Sequence, residues 1–99
     1  MGIMEMSDAQ INLAIAEIEY PEAVREGINY VFNVDYVNNW SDIRPIIERE
    51  KIDLFIFIED IWCAEWGEYD YSGNRFAIAE AKTPTKAAAL CYLKMKGVE

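Results

Sequence analysis

The sequence predicts one α+β domain, a three-layer α/β/α sandwich around a mostly antiparallel or mixed sheet. Helical and strand-like patterns interleave along its 99 residues, a length typical of a single domain. Residues 52–58 are apolar after Asp53, as in a strand covered on both faces. The predicted order is helix, one or two strands, helix, three strands, helix, with residues 1–99 forming one domain.

The first predicted helix begins after Ser7, which forms a capping-box pattern with Gln10, and it ends near Glu19, before Pro21. Its apolar residues form two stripes: a strong one of Ile11, Ala14, Ile15 and Ile18, and a weaker one of Ala9, Leu13 and Ala16. A helix that is apolar on two sides packs against two elements of its own chain or offers one side to a partner.

The next segment alternates between apolar and polar residues, which predicts a half-buried strand through Tyr30, Phe32, Val34 and Tyr36. Ser41 is then the predicted cap of a short helix, with Asp42 in its first turn and Trp40 before it, packed on the core. Pro45 is expected to be tolerated near the start of this helix, where backbone amides lack helical acceptors.

The second half of the chain predicts three strands and a helix. The strand at 52–58 is expected in the middle of the sheet. An aromatic strand at 61–71, bulged at Gly67, and a small-residue strand at 76–81 are predicted to form a hairpin around a Ser-Gly-Asn turn. Thr83 then caps the last helix, with a proline at its first position.

Several chemistries are excluded by residues that the chain lacks. It has no histidine, which removes Ser-His-Asp and Cys-His catalysis and every zinc site that needs imidazole. Cys63 and Cys91 are too far apart for a Cys-x-x-Cys motif, and their apolar neighbours predict two buried, reduced thiols. No phosphate-binding loop or dinucleotide fingerprint occurs, so no cofactor is predicted.

Charge and hydropathy limit the expected surroundings of the protein. The net charge is −9, which disfavours nucleic acid and anionic membranes and favours partners with a basic surface. The N-terminal residues lack the basic residues and the small-residue cleavage site of a signal peptide, and no apolar run is long enough to span a membrane. A cytoplasmic location is therefore expected.

The strand at 61–71 and its turn carry the candidate functional residues. Aromatic and acidic side chains interleave there, and exposed aromatics surrounded by carboxylates suit binding to a basic surface. The candidate partner-binding residues are Glu65, Trp66, Glu68, Tyr69, Asp70 and Tyr71. A purely structural interpretation places Trp62 and Trp66 in the core. For Tyr69 and Tyr71 the sequence does not decide between a structural role and a binding role.

Four segments resemble known phage proteins. They are residues 11–16, the Trp-Ser-Asp-Ile-Arg-Pro block of residues 40–45 with its flanks, residues 62–64, and the stretch from Thr83 to Met95. Together they resemble the phage ABA-sandwich domain family, and residues 45–50 and 83–88 are similar to NinX-type phage proteins. The resemblance implies a three-layer sandwich and a phage or prophage origin in a bacterial host, and it implies no activity.

The leading hypothesis is a non-enzymatic phage accessory protein that binds a host or phage protein, one version being a nucleic-acid mimic. One alternative is a divalent-metal-dependent hydrolase in which Glu59 and Asp60 join the carboxylates of the next strand. Another is a structural subunit that self-associates through the weaker stripe of the first helix.

Overall fold

The computed structural model describes residues 2–28 and 33–98. After a 3-10 turn at Ile3–Glu5, its elements are α1 (Asp8–Glu19), α2 (Pro21–Glu26), α3 (Trp40–Glu50), β1 (Asp53–Ile58), β2 (Ile61–Tyr69), β3 (Arg75–Ala81) and α4 (Pro84–Met95). The strands form an antiparallel sheet in the order β1-β2-β3. The predicted α+β class and the three consecutive strands between two helices are confirmed.

The position predicted for the apolar strand is wrong. β1 lies at the edge of the described sheet, and its side chains from Phe55 to Ile58 are exposed. Among the residues of β1, only Leu54 packs against the core. An apolar sequence shows that a strand can be buried, but it does not show where the strand lies in the sheet. Here α4 is the helix that covers the sheet, and it packs mainly on β2 and β3.

The core lies between the sheet and α4. The sheet contributes the buried Ala64, Ala77 and Ala79, and α4 is buried along most of its length, including Ala88 and Cys91. Small side chains on both surfaces allow the helix backbone to approach the strands closely. α1 and α3 pack in turn against α4.

The three-layer arrangement is not confirmed. Phe55, Cys63 and Glu80 are register partners across the three strands, so they share the sheet face opposite the core alanines. On that face Phe55 and Glu80 are exposed, and the helix contacts of the described residues place α4 on the other face. Both cysteines are free and buried, as predicted.

The segment expected to be a half-buried strand is not a strand where the structure describes it. Val34 and Tyr36 lie in a loop and a turn, and Tyr30 and Phe32 lie outside the described residues. The loop is held by polar contacts of Asp35, whose carboxylate accepts a hydrogen bond from Asn12 Nδ2 at 2.9 Å. Hydrogen-bond donors around this carboxylate, Asn12 foremost, lower its pKa.

The start of α3 also differs from the prediction. Asn39, not Ser41, is the cap, because its side chain accepts from the Ser41 amide at 2.9 Å. Trp40 is the first helical residue and is half exposed, so it does not precede the helix to pack on the core. With this earlier start, Pro45 lies inside the helix, beyond its first turn. Asp42 reaches back to accept from the Asp35 amide at 3.0 Å.

The predicted caps of the other two long helices are confirmed. Ser7 and Gln10 form the complete capping box of α1, and Thr83 accepts from the Lys86 amide at the start of α4, with Pro84 at the first position. Within the described residues, every helix is too short or too polar to cross a bilayer.

Candidate partner-binding site

The candidate residues follow β2 into the turn that connects it to β3. The Asp70 carboxylate organises this turn, since it accepts from the Ser72 amide at 2.8 Å and the Asn74 amide at 3.0 Å. The Asp70 amide also donates to the Asn74 carbonyl at 2.8 Å. Asp70 therefore has a structural task, which leaves less of its carboxylate available to a partner.

A bulge at Gly67 shapes the base of this hairpin, as the sequence predicted. The register of β2 and β3 shifts between Trp66 and Tyr69, and Gly67 has φ +96°. A Cβ atom at Gly67 would lie 2.6 Å from the Phe76 Cβ, so only glycine fits without displacement. The ring of Phe76 meets that of Trp66 edge to face, with centroids 5.7 Å apart.

Trp66 joins the hairpin to the helical part of the molecule. Its Nε1 donates to the backbone carbonyl of Glu50, the last residue of α3, at 2.7 Å. Both Trp66 and Trp62 are partly buried and pack against the core. The structural interpretation of the two tryptophans is thus confirmed, and only part of the Trp66 side chain is exposed.

An open groove of about 900 Å³ lies where the hairpin meets the ends of α3 and α4. Its apolar lining comes from Trp66, Tyr69, Phe76 and Met95, and its acidic residues are Glu50 and Glu68. Sequence reasoning missed Phe76, Met95 and Glu50. The available signal was the position of Phe76, opposite the predicted bulge at the start of β3.

Arg75 is one of the two basic residues that line the groove, and internal contacts occupy it. Its Nε donates to the Gly67 carbonyl at 2.8 Å, its guanidinium forms an ion pair with Asp53, and it lies 5.4 Å from the centre of the Tyr69 ring. The hydrogen bond to Asp53 raises the pKa of Arg75. Among the residues that the structure describes, Glu68 forms no ion pair, so its charge stays available.

The structure brings together only part of the predicted set. Glu68, Tyr69 and Tyr71 are exposed near the groove and turn, with Tyr69 at 68% exposure and Tyr71 fully exposed. Glu65 lies farther back on the sheet, in register with Asp53 and Ile78 on the face opposite the core. It is therefore separate from the exposed hairpin residues.

The carboxylate cluster required by the metal-hydrolase alternative has no support in this geometry. Glu59 and Asp60 form the tight turn between β1 and β2, with Glu59 at φ +41°. Across residues 2–28 and 33–98, no group of three or more acidic or cysteine side chains lies close enough to hold a metal ion.

A family model described as bacteriophage P22 NinX matches residues 3–96, from the first 3-10 turn to the end of α4. The chain belongs to the bacteriophage P22 NinX family. The resemblance to NinX-type phage proteins is thereby confirmed, and with it the assignment to a bacteriophage protein family. Searches of curated proteins and of solved structures found no match to this NinX-family chain.

Proposed function

We propose that this NinX-family protein is a non-enzymatic phage accessory protein that binds a host or phage protein with a basic surface. The observation that carries the proposal is the groove of about 900 Å³ beside two exposed tyrosines. The groove and hairpin together form the proposed binding surface: Trp66, Glu68, Tyr69, Tyr71, Phe76 and Met95.

The composition of this surface suits protein recognition. Binding energy at interfaces concentrates in a few aromatic side chains that fill or line pockets, and tyrosine loses little conformational entropy on binding. Here Trp66 and Phe76 are held by their edge-to-face contact, while Tyr69 is held beneath the Arg75 guanidinium. These three rings are therefore held in place before a partner arrives, which reduces the entropic cost of association.

The charge of the whole molecule selects the partner. In the groove, Glu68 and Lys51 form no ion pair among the described residues and offset each other, and Arg75 is neutralised by Asp53. With a net charge of −9, the whole molecule attracts basic proteins and repels nucleic acid at long range. A DNA-binding host protein fits this description, and such a partner would make the protein a nucleic-acid mimic acting in the host cytoplasm.

The proposal is tested by capture of partners on the tagged protein from infected bacteria, followed by titration of the purified partner by calorimetry. We expect Glu68→Lys and Tyr69→Ser each to weaken binding by at least about tenfold, which corresponds to about 1.4 kcal/mol. Glu17→Lys is the matched control, because Glu17 is an exposed residue of α1 outside the groove. A partner that binds both hairpin variants as tightly as the wild type would disprove the proposed surface.

A further inference from the structure

The outer edge of β1 is a second surface that the proposed function leaves unused. β1 pairs with β2 along one side, and no strand of the described residues pairs with its other side. Its stretch from Leu54 to Ile58 contains no charged residue and no proline. Edge strands of soluble proteins usually carry such residues, since a bare apolar edge pairs readily with another strand.

The side chains of this edge are exposed to an unusual degree. Phe55 is 40% exposed, Ile56 59%, Phe57 53% and Ile58 59%. With roughly 200 Å² for each fully exposed large apolar side chain, they present about 400 Å² of apolar surface. Phe55 and its neighbour Ile56 project from opposite faces of the sheet, so this apolar surface flanks the edge on both faces.

We propose that β1 pairs antiparallel with β1 of a second copy of this chain, which joins the two sheets into one six-stranded sheet. The sequence of β1 favours pairing with the same strand of a second copy, because short apolar segments of high β propensity and low charge pair with identical segments. A basic partner, in contrast, gains nothing from the uncharged stretch Leu54–Ile58. Asp53, the acid at its start, already forms an ion pair with Arg75.

Symmetry and register make the pairing self-limiting. A twofold axis near Phe55 sets Phe55 opposite Phe55 of the second copy, and Leu54 opposite the second copy's Ile56. Each chain has one β1 edge, so this pairing consumes it and closes at a dimer. The bulge of β1 lies between Ile56 and Ile58, after the stretch that pairs most regularly.

The available area sets the strength of the dimer. Two edges contribute at most about 800 Å² of side-chain surface plus their backbone groups, below the roughly 1,200 Å² of a stable interface. We therefore expect a reversible dimer that forms with rising concentration. Added salt should strengthen it, because each chain carries a net charge of −9.

The test is a concentration series of the full chain by sedimentation velocity at low and moderate salt. The wild type is expected to pass from monomer to dimer, and Phe55→Lys to remain monomeric, with thermal melting used to verify that the variant is folded. Tyr71→Lys is the control, because it makes the same charge change at a fully exposed residue of the turn, and it should dimerise like the wild type.

If Phe55→Lys does not fold, Phe55→Thr keeps a strand-forming residue and should weaken the dimer by at least about tenfold. Hydrogen exchange gives an independent readout, since the outward amides of β1 should become protected as the concentration rises. A wild type that stays monomeric overturns the inference, as does a Phe55→Lys variant that dimerises normally. Growth beyond a dimer also overturns it, because pairing of β1 with β1 leaves no β1 edge free for a third chain.

Discussion

Replacing Glu19 by glutamine tests the polar contact that joins three helices. The Glu19 carboxylate, at the end of α1, accepts two hydrogen bonds from the Arg49 guanidinium of α3, both at 2.9 Å. It also accepts the hydroxyl hydrogen of Tyr92, a fully buried residue of α4. The bond to Arg49 is the main cause that lowers the pKa of Glu19.

The expected loss of stability follows from these contacts. A hydrogen bond to a charged group contributes about 1.5–3 kcal/mol to stability. The Arg49 side chain is 49% exposed, however, so water screens its interaction with Glu19. We therefore expect Glu19→Gln to lower the free energy of unfolding by about 2 kcal/mol. For a domain of this size that corresponds to a fall in Tm of roughly 10 °C.

The pH dependence provides the sharper assay. Because the pKa of Glu19 is lower in the folded than in the unfolded protein, its contribution is complete above the unfolded pKa and is lost as the pH falls through the folded value. Urea unfolding at neutral and acidic pH should thus show a large gap between wild type and Glu19→Gln at neutral pH and a small gap in acid. Glu17→Gln, an exposed neighbour on α1, is the control. An equal gap at both pH values would refute the reasoning.

Three further outcomes are expected. Gly67→Ala should lower the free energy of unfolding by about 1–3 kcal/mol in urea titrations, because it combines a positive φ with a Cβ contact to Phe76, and an unchanged midpoint would contradict the bulge geometry. Asn12→Ala should lower the free energy of unfolding by about 1–3 kcal/mol, because Asn12 Oδ1 accepts from the Val37 amide and Nδ2 donates to Asp35. A loss of less than about 0.5 kcal/mol, the usual effect of a surface substitution, would argue against these contacts. Saturating Mn²⁺ or Mg²⁺ should leave the Tm unchanged, and a rise would revive the hydrolase alternative.

Local features of the chain were predictable from the sequence. The capping box of Ser7 and Gln10, the Thr83 cap and the bulge at Gly67 all depend on residues within a few positions of one another. Their energies arise from short-range hydrogen bonds and backbone conformation, which neighbouring residues determine. The α+β class followed from the same local periodicities.

The start of α3 shows where local reasoning failed. Ser41 and Asn39 are both competent caps, and in the structure Asn39 is the one used. The side chain of Asp42 accepts from the Asp35 amide, which ties the start of α3 to the preceding loop, and that loop is in turn held by Asn12 of α1. The local sequence permits both caps and does not reveal these contacts with α1.

The sequence by itself determined α1 and α4 with their caps, the hairpin with its bulge, and the acidic, histidine-free composition. Only the tertiary structure decided that β1 lies at an edge and that Glu50, Phe76 and Met95 meet Trp66 in one groove. The physical reason is that secondary structure depends on neighbours along the chain, whereas coverage of a strand or assembly of a groove depends on which distant surfaces pack together. Hydrophobicity drives such packing but does not specify the partner.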